Sequence, residues 1–147
     1  MTAFRIARRE DVPDVMALLT DDVLGGGREG APMEHYLAAY DAMQAEGTNH
    51  LIVGQAGGRI VATYQITFIS GLSLRATRRA QIESVRVASD LRGQRIGEAM
   101  IADAEARARA AGCGLLQLTM NQTRTDTARF YARMGFAASH TGFKKAL

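Results

Sequence analysis

The sequence predicts an α/β fold in which helices lie on the faces of a mixed sheet, and three observations carry that prediction. Four stretches repeat apolar residues at spacings of three and four. Other, shorter stretches are rich in β-branched residues. The two kinds follow one another as strand, two helices, three strands, helix, strand, helix and terminal strand material. With 147 residues, 47% of them hydrophobic, the chain can bury one core, so a single domain over residues 1–147 is expected.

FRIARR, from Phe4 to Arg9, reads as a short first strand. In EDVPDVMALLTDDVL, Val12, Val15, Met16 and Leu19 fall on one helical face, and Pro13 suits a first turn, where no intrahelical N–H is lost. Gly25, Gly26, Gly27, Gly30 and Pro32 then predict a flexible connection to a second helix, MEHYLAAYDAMQAE, with Met33, Leu37, Tyr40 and Met43 on its apolar side. NHLIVGQAGGRIVATYQITFI divides at Gly57 and Gly58 into the two arms of a hairpin. A basic loop, Arg75 to Ala80, precedes the strand QIESVRVA. Next, Ile96, Gly97, Met100, Ile101, Ala104, Ala108 and Ala111 form one stripe of a third helix, opposite Glu98, Glu105 and Arg109. Glu105 and Arg109 also make a favourable pair four apart. Gly112 and Gly114 end that helix, LLQLTM is a strand, TDTARFYARM a last amphipathic helix with Gly135 as its cap, and two short strands around Gly142 close the domain.

Composition excludes several classes of function. Eighteen basic and fifteen acidic residues leave a net charge of +3 spread along the chain rather than in a block, which argues against nucleic acid as the main partner. No apolar run approaches the roughly 20 residues that span a bilayer. MTAFRIARRED lacks the continuous apolar centre of a signal peptide, so a soluble, unprocessed chain without a membrane partner is expected. Cys113 is the one cysteine; it cannot form an internal disulfide, which fits a reducing cytoplasm, and between two glycines it reads as a small helix-exit residue. His35, His50 and His140 lack the spacing of a zinc site, and Ser139 beside His140 has no identifiable third partner for nucleophilic catalysis.

The chemistry-bearing stretch is DLRGQRIGEAM, Asp90 to Met100. A helix opens with N–H groups that have no intrahelical partner and with partial positive charge, so an anion docked there satisfies both. A strand running directly through Gly93 into a helix aims the amides from Gly93 to Gly97 at one spot, and Arg92 adds a guanidinium suited to phosphate. By itself this pattern fits a dinucleotide fold, or an ordinary helix start, equally well.

Its flanks are more specific. IESVRVASDLRGQRIGEAMIADAEARARAAGCGLLQLT, followed by ARFYARMGF, resembles the GNAT superfamily of acetyl-CoA-dependent N-acetyltransferases from about Gln81 to Phe143, and the order of the earlier elements agrees. The resemblance implies a mostly antiparallel mixed sheet of about six to seven strands, flanked by four helices and splayed between the fourth and fifth strands. It also implies a diphosphate-binding turn of Arg or Gln, two residues, Gly, one residue, then Gly or Ala. Here that turn is Arg92, Gly93, Gln94, Arg95, Ile96 and Gly97, with Arg95 in the slot of the first motif glycine. A helix-start residue has negative φ, which arginine adopts freely, so the Arg95 amide is expected to serve phosphate while its side chain turns outward near the coenzyme's other phosphate. Gly97 lies in the buried stripe, where a side chain would push the helix off the sheet.

Acyl transfer from a thioester needs a neutral amine, a donor for the developing oxyanion and a proton for the departing thiolate. By resemblance, the coenzyme arm enters the splay, Val85, Arg86 and Val87 supply main-chain contacts, and the backbone from Val85 to Val87 offers the oxyanion donor. Tyr131 matches the family tyrosine that protonates the coenzyme sulfur; Thr127, Phe130, Tyr131 and Met134 also make a helical stripe, so simple packing is the competing account. Glu83 stands where many members carry a glutamate that accepts the amine proton, and a solvated strand carboxylate is its alternative. Strand alternation puts Glu83, Val85 and Val87 on one face, where apolar neighbours would raise a carboxyl pKa. Asn121 follows the strand where the family often has a coenzyme-contacting asparagine, but the usual spacing before the tyrosine falls on Arg124; either contacts the coenzyme, or Asn121 makes a turn.

The resemblance therefore implies acetyl-CoA as co-substrate, direct attack without a metal, and a small-molecule primary amine as acceptor. The acceptor would be bordered by the first two helices, the GGGREGAP loop and the basic loop with Arg75, Arg78 and Arg79. The alternative is a non-catalytic acyl-CoA-binding regulatory module. A homodimer through terminal strand edges near Ala137 to Lys145 is a further family expectation.

Overall fold

The computed structural model describes residues 1–21 and 28–147; the predicted breaks at Gly25, Gly26 and Gly27 lie outside the described residues. The elements are β1 (Ala3–Ile6), α1 (Val12–Thr20), α2 (Met33–Glu46), β2 (Asn49–Ala56), β3 (Arg59–Ile69), a short α3 (Ser73–Ala76), β4 (Arg79–Val87), α4 (Ile96–Ala110), β5 (Leu115–Leu118) and α5 (Thr125–Arg133). The strands lie side by side in chain order, antiparallel from β1 to β4 and parallel between β4 and β5.

Local chemistry accounts for most of these boundaries. Pro13 sits in the first turn of α1, whose Val12, Val15, Met16 and Leu18 are buried. The buried Asp11 joins β1 to that helix: its carboxylate accepts from the Arg8 amide at 2.7 Å and from Arg5 at 2.7 and 3.1 Å. The Arg5 guanidinium holds the Asp11 carboxyl below the usual carboxylate range, against the opposing effect of burial. Between β2 and β3, Gly57 and Gly58 have φ of 57° and 79°, the left-handed pair that a two-residue hairpin turn requires.

The sheet separates two apolar layers. On one face Ile52, Tyr64, Ile66 and Ile82 meet Met100, Ile101 and Ala104 of α4 and Tyr131 of α5. On the other, Val53 and Leu51 meet Val15 and Met16 of α1 and Tyr40 of α2. Ile52, Ile66 and Ile82 are fully buried, each stabilising the fold by about 2 kcal/mol. Polar tips reach partners at the margins: the Tyr64 hydroxyl donates to Asp103 at 2.6 Å and the Tyr40 hydroxyl to the Ala7 carbonyl at 2.8 Å.

Two expectations about the architecture are corrected. Among the described residues the sheet has five strands rather than six or seven, because the segment from Phe136 to Leu147 forms no ladder. Ala137, Ala138, Ser139 and Gly142 have little to bury on a pleated surface, and Phe143 is 92% exposed. Among the described residues the α-helical segments given above number five rather than four: α3 adds one turn in the loop expected after β3, with Leu74 and Arg75 in the left-handed region. No helix among the described residues is long and apolar enough to cross a membrane.

Candidate active site

The segment between β4 and α4 is held from outside. Asp90 accepts both arms of the Arg59 guanidinium at 2.8 and 2.9 Å, and the Ser89 hydroxyl donates to Asp21 at 2.8 Å. These bonds fasten the turn to the hairpin end of β3 and to the end of α1. Arg92 is extended, Gly93 has φ of 82°, and Arg95 is left-handed at φ 62° and ψ 19° before Ile96 begins the helix. No side chain caps the start of α4, so its first amides are open to an anion. Gly93 and Arg95, both at positive φ, bend the backbone just ahead of these amides, a kind of turn that suits an anion.

The expected negative φ at Arg95 is overturned. This slot takes a left-handed residue, which explains why glycine is easier there; a non-glycine residue costs about 1–2 kcal/mol. The side chain does turn outward and pairs with Glu98 at 2.9 Å. Gly97 is tight for another reason than expected: a Cβ there would lie 3.3 Å from the Phe130 ring, so it preserves the contact of α4 with α5 rather than with the sheet.

β4 and β5 pair only from Arg79 with Leu115 to Ile82 with Leu118. Beyond that point no described strand borders the backbone of Glu83 to Val87 on the β5 side, and the sheet opens as the splay predicts. On the β3 side the ladder is interrupted: Gln65 opposes Glu83, but Thr63 opposes Arg86, so two residues, Ser84 and Val85, face Tyr64 alone. Ser84 takes φ of 53° to make this bulge.

The bulge corrects the expected alternation. Directly opposed residues share a face, so Val87, opposite Ala62, lies with Ile82 on the α4 side, whereas Glu83 and Arg86, opposite Gln65 and Thr63, lie together on the α1 side. Glu83 is exposed rather than packed among valines. Arg86 is half-buried, and its Nη1 donates to the Val85 carbonyl at 2.9 Å.

Tyr131 is 9% exposed, edge-on to Phe130 and Phe136. Burial raises its phenol pKa while the charges of Arg86 and Arg124 pull it back, so two guanidinium groups act on this hydroxyl. Arg124 precedes α5, and its amide donates to the Asn121 carbonyl at 3.0 Å. The Asn121 side-chain oxygen accepts from the Thr123 amide at 3.0 Å and hydroxyl at 2.6 Å, which is a local turn. Arg92 and Gln94 are exposed on the turn, and Ile96 is buried beneath it. Val85 and Val87 beside the splay, Ile96 at the helix start and Tyr131 belong to one apolar cluster, while Asn121 is engaged locally and Arg75 is exposed in α3. Among the described residues no three His, Cys, Asp or Glu side chains could hold a metal ion.

Two features escaped the sequence reading. The Arg59–Asp90 anchor joins residues 31 apart and leaves no local pattern. The bulge does leave one: the apolar positions of β4 run Ala80, Ile82, then Val85, Val87, a change of parity at Ser84.

Known proteins share this fold. Residues 13–136 match the model of the acetyltransferase (GNAT) family. An aminoalkylphosphonate N-acetyltransferase of Salmonella typhimurium is 45% identical over 67 residues, a match covering 46% of this chain and less than half, 44%, of that relative. A crystal structure described as a transcriptional regulator from Bacillus halodurans C-125 superposes with a TM-score of 0.95 at 38% identity, covering all of both chains. A protein of Agrobacterium tumefaciens, provisionally assigned as an acetyltransferase, gives 0.88 at 26% identity over 99% of each chain. With the family model spanning most of its length, the chain belongs to the GNAT family of acetyltransferases.

Proposed function

We propose that the chain moves the acetyl group of acetyl-CoA to the primary amine of a small molecule by direct attack of the amine on the thioester. The observation that carries this reading is the parting of β4 from β5 beyond Ile82, between an uncapped helix start and the buried Tyr131. Acetyl-CoA, when bound, supplies the activated acyl group. Arg92, Gly93, Gln94, Arg95, Ile96 and Gly97 would hold its diphosphate, and the backbone of Val85, Arg86 and Val87 its thiol arm and the developing oxyanion. Glu83 takes the amine proton, directly or through water. Tyr131, a phenol protonated at neutral pH and pushed further up by burial, donates to the leaving thiolate. Of the two residues expected near the coenzyme, Arg124 is favoured over Asn121, whose side-chain oxygen already serves Thr123. That a GNAT relative acts on aminoalkylphosphonates supports a small amine as acceptor.

Release of free thiol from acetyl-CoA across a panel of amines tests this reading. Tyr131→Phe should lower turnover about 100-fold or more while leaving the melting temperature nearly unchanged. A second reading, a coenzyme-binding regulator without turnover, is favoured by the 38% identical structure described as a transcriptional regulator. Tight coenzyme binding with no thiol release for any amine would decide for it. We also place the protein in the cytoplasm as a homodimer: the outer edge of β5 has no partner among the described residues, and exposed segment 137–147 of a second copy could cover it. Light scattering in solution checks the assembly.

A further inference from the structure

We infer that Tyr64 is a positioning residue for acyl transfer, which through Asp103 sets α4 and the turn before it against the bulged part of β4, an inference resting on the acetyltransferase reading above. That reading gives the coenzyme two footholds, the turn that opens α4 and the backbone of Val85 to Val87 in β4. The footholds belong to different elements, and the thioester reaches its place only if their separation is kept. Apolar contact fixes such a separation poorly, because hydrophobic burial has no direction. A hydrogen bond has one.

Tyr64 joins the two elements at the point where that bond matters. Its backbone is the part of β3 against which Ser84 and Val85 bulge, so it faces the irregular stretch of β4 directly. Its side chain is fully buried in the α4-side core with Ile52 and Ile82. The hydroxyl donates to Asp103 Oδ2 at 2.6 Å, about two turns into the helix that begins at Ile96. Asp103 is itself held: the same oxygen accepts from Arg107 Nε at 2.8 Å, and Arg107 Nη2 donates to the Phe4 carbonyl at 3.3 Å, so the chain of bonds ends on β1. Burial, and after it Asp103, push the phenol pKa up, so the hydroxyl stays a donor at any working pH. Phenylalanine would fill this part of the core equally well; the tyrosine adds a polar tip that must find its partner.

The test compares two thioesters, acetyl-CoA and S-acetylpantetheine, which ends before the diphosphate and uses the strand foothold alone. Tyr64→Phe keeps the ring and leaves Asp103 paired with Arg107. With acetyl-CoA this variant should lose about tenfold in kcat while CoA affinity by calorimetry stays within about twofold, the pattern of a displaced thioester on an intact diphosphate site. With S-acetylpantetheine, variant and wild type should turn over alike. Equal losses with both donors, or no loss with acetyl-CoA, overturn the inference and leave the acetyltransferase reading intact. If the wild type does not use S-acetylpantetheine, the acetyl-CoA data decide: a fall in kcat at unchanged affinity supports the inference, and a fall in affinity alone overturns it. Absence of acetyl-CoA turnover for every amine overturns both readings. Should Tyr64→Phe fail to fold, Asp103→Ala, at the half-buried end of the same bond, carries the same expectation.

Discussion

The turn between β2 and β3 and the turn between β4 and α4 each need two left-handed residues, and they meet that need differently. In the hairpin both positions are glycine, so residue and conformation agree and the turn closes by local rules. Before α4 the positions are Gly93 and Arg95, and the second holds a conformation that its side chain disfavours. The turn is also tied to a distant point: Arg59, the residue after the hairpin glycines, grips Asp90 with both arms. The first turn is closed by its own residues, and the second, the proposed binding surface, is joined to the first through Arg59 and Asp90. Local strain of this kind persists where surrounding structure over-determines it, and it clusters at functional sites.

Three changes would break or sharpen that contrast. The largest effect is expected for Gly58→Val, which meets no neighbour within 4 Å but must adopt φ near 79°; a loss of about 1–2 kcal/mol in urea melts is expected, and no loss would mean the hairpin does not depend on its glycines. Arg95→Gly should move stability the other way, by up to about 1 kcal/mol, since relief of the left-handed arginine exceeds the added freedom of glycine in the unfolded chain. Its exposed pair with Glu98 contributes little to that balance. Destabilisation by this variant would show that the arginine is not strained. The smallest change in melting temperature is expected for Arg59→Ala, whose pair with Asp90 is solvent-exposed. Its consequence should be weaker coenzyme binding by calorimetry, through a loosened turn; unchanged affinity would separate the two turns.

The candidate site was legible in unequal parts. The helix after DLRGQRIG, its stripe of Met100, Ile101, Ala104 and Ala108, and the buried Tyr131 follow from residue spacing, since a 3.6-residue period is imposed by the helix itself. The opening of β4 from β5 was implied by resemblance and is visible where their pairing stops. Two readings failed for one reason, that a regular backbone was assumed where the chain is irregular. Negative φ was assigned to Arg95, and strict alternation to Glu83, Val85 and Val87, yet the skipped parity between Ile82 and Val85 already marked the bulge. The terminal strands failed differently: Gly142 and its neighbours carry little that a sheet would bury.

By itself the sequence determined the succession of the longer strands and helices from β1 to α5, the hairpin at Gly57–Gly58 and the helix mouth proposed as an anion site, because each depends on periodicity or on the conformational range of single residues. Only the tertiary structure decided that Glu83 and Arg86 share a face, that the turn before α4 is tied to Arg59, and that Gly97 answers to Phe130. Those facts depend on which backbone lies opposite which, and a register shifted by one residue, as at Ser84, sends every following side chain to the other side of the sheet.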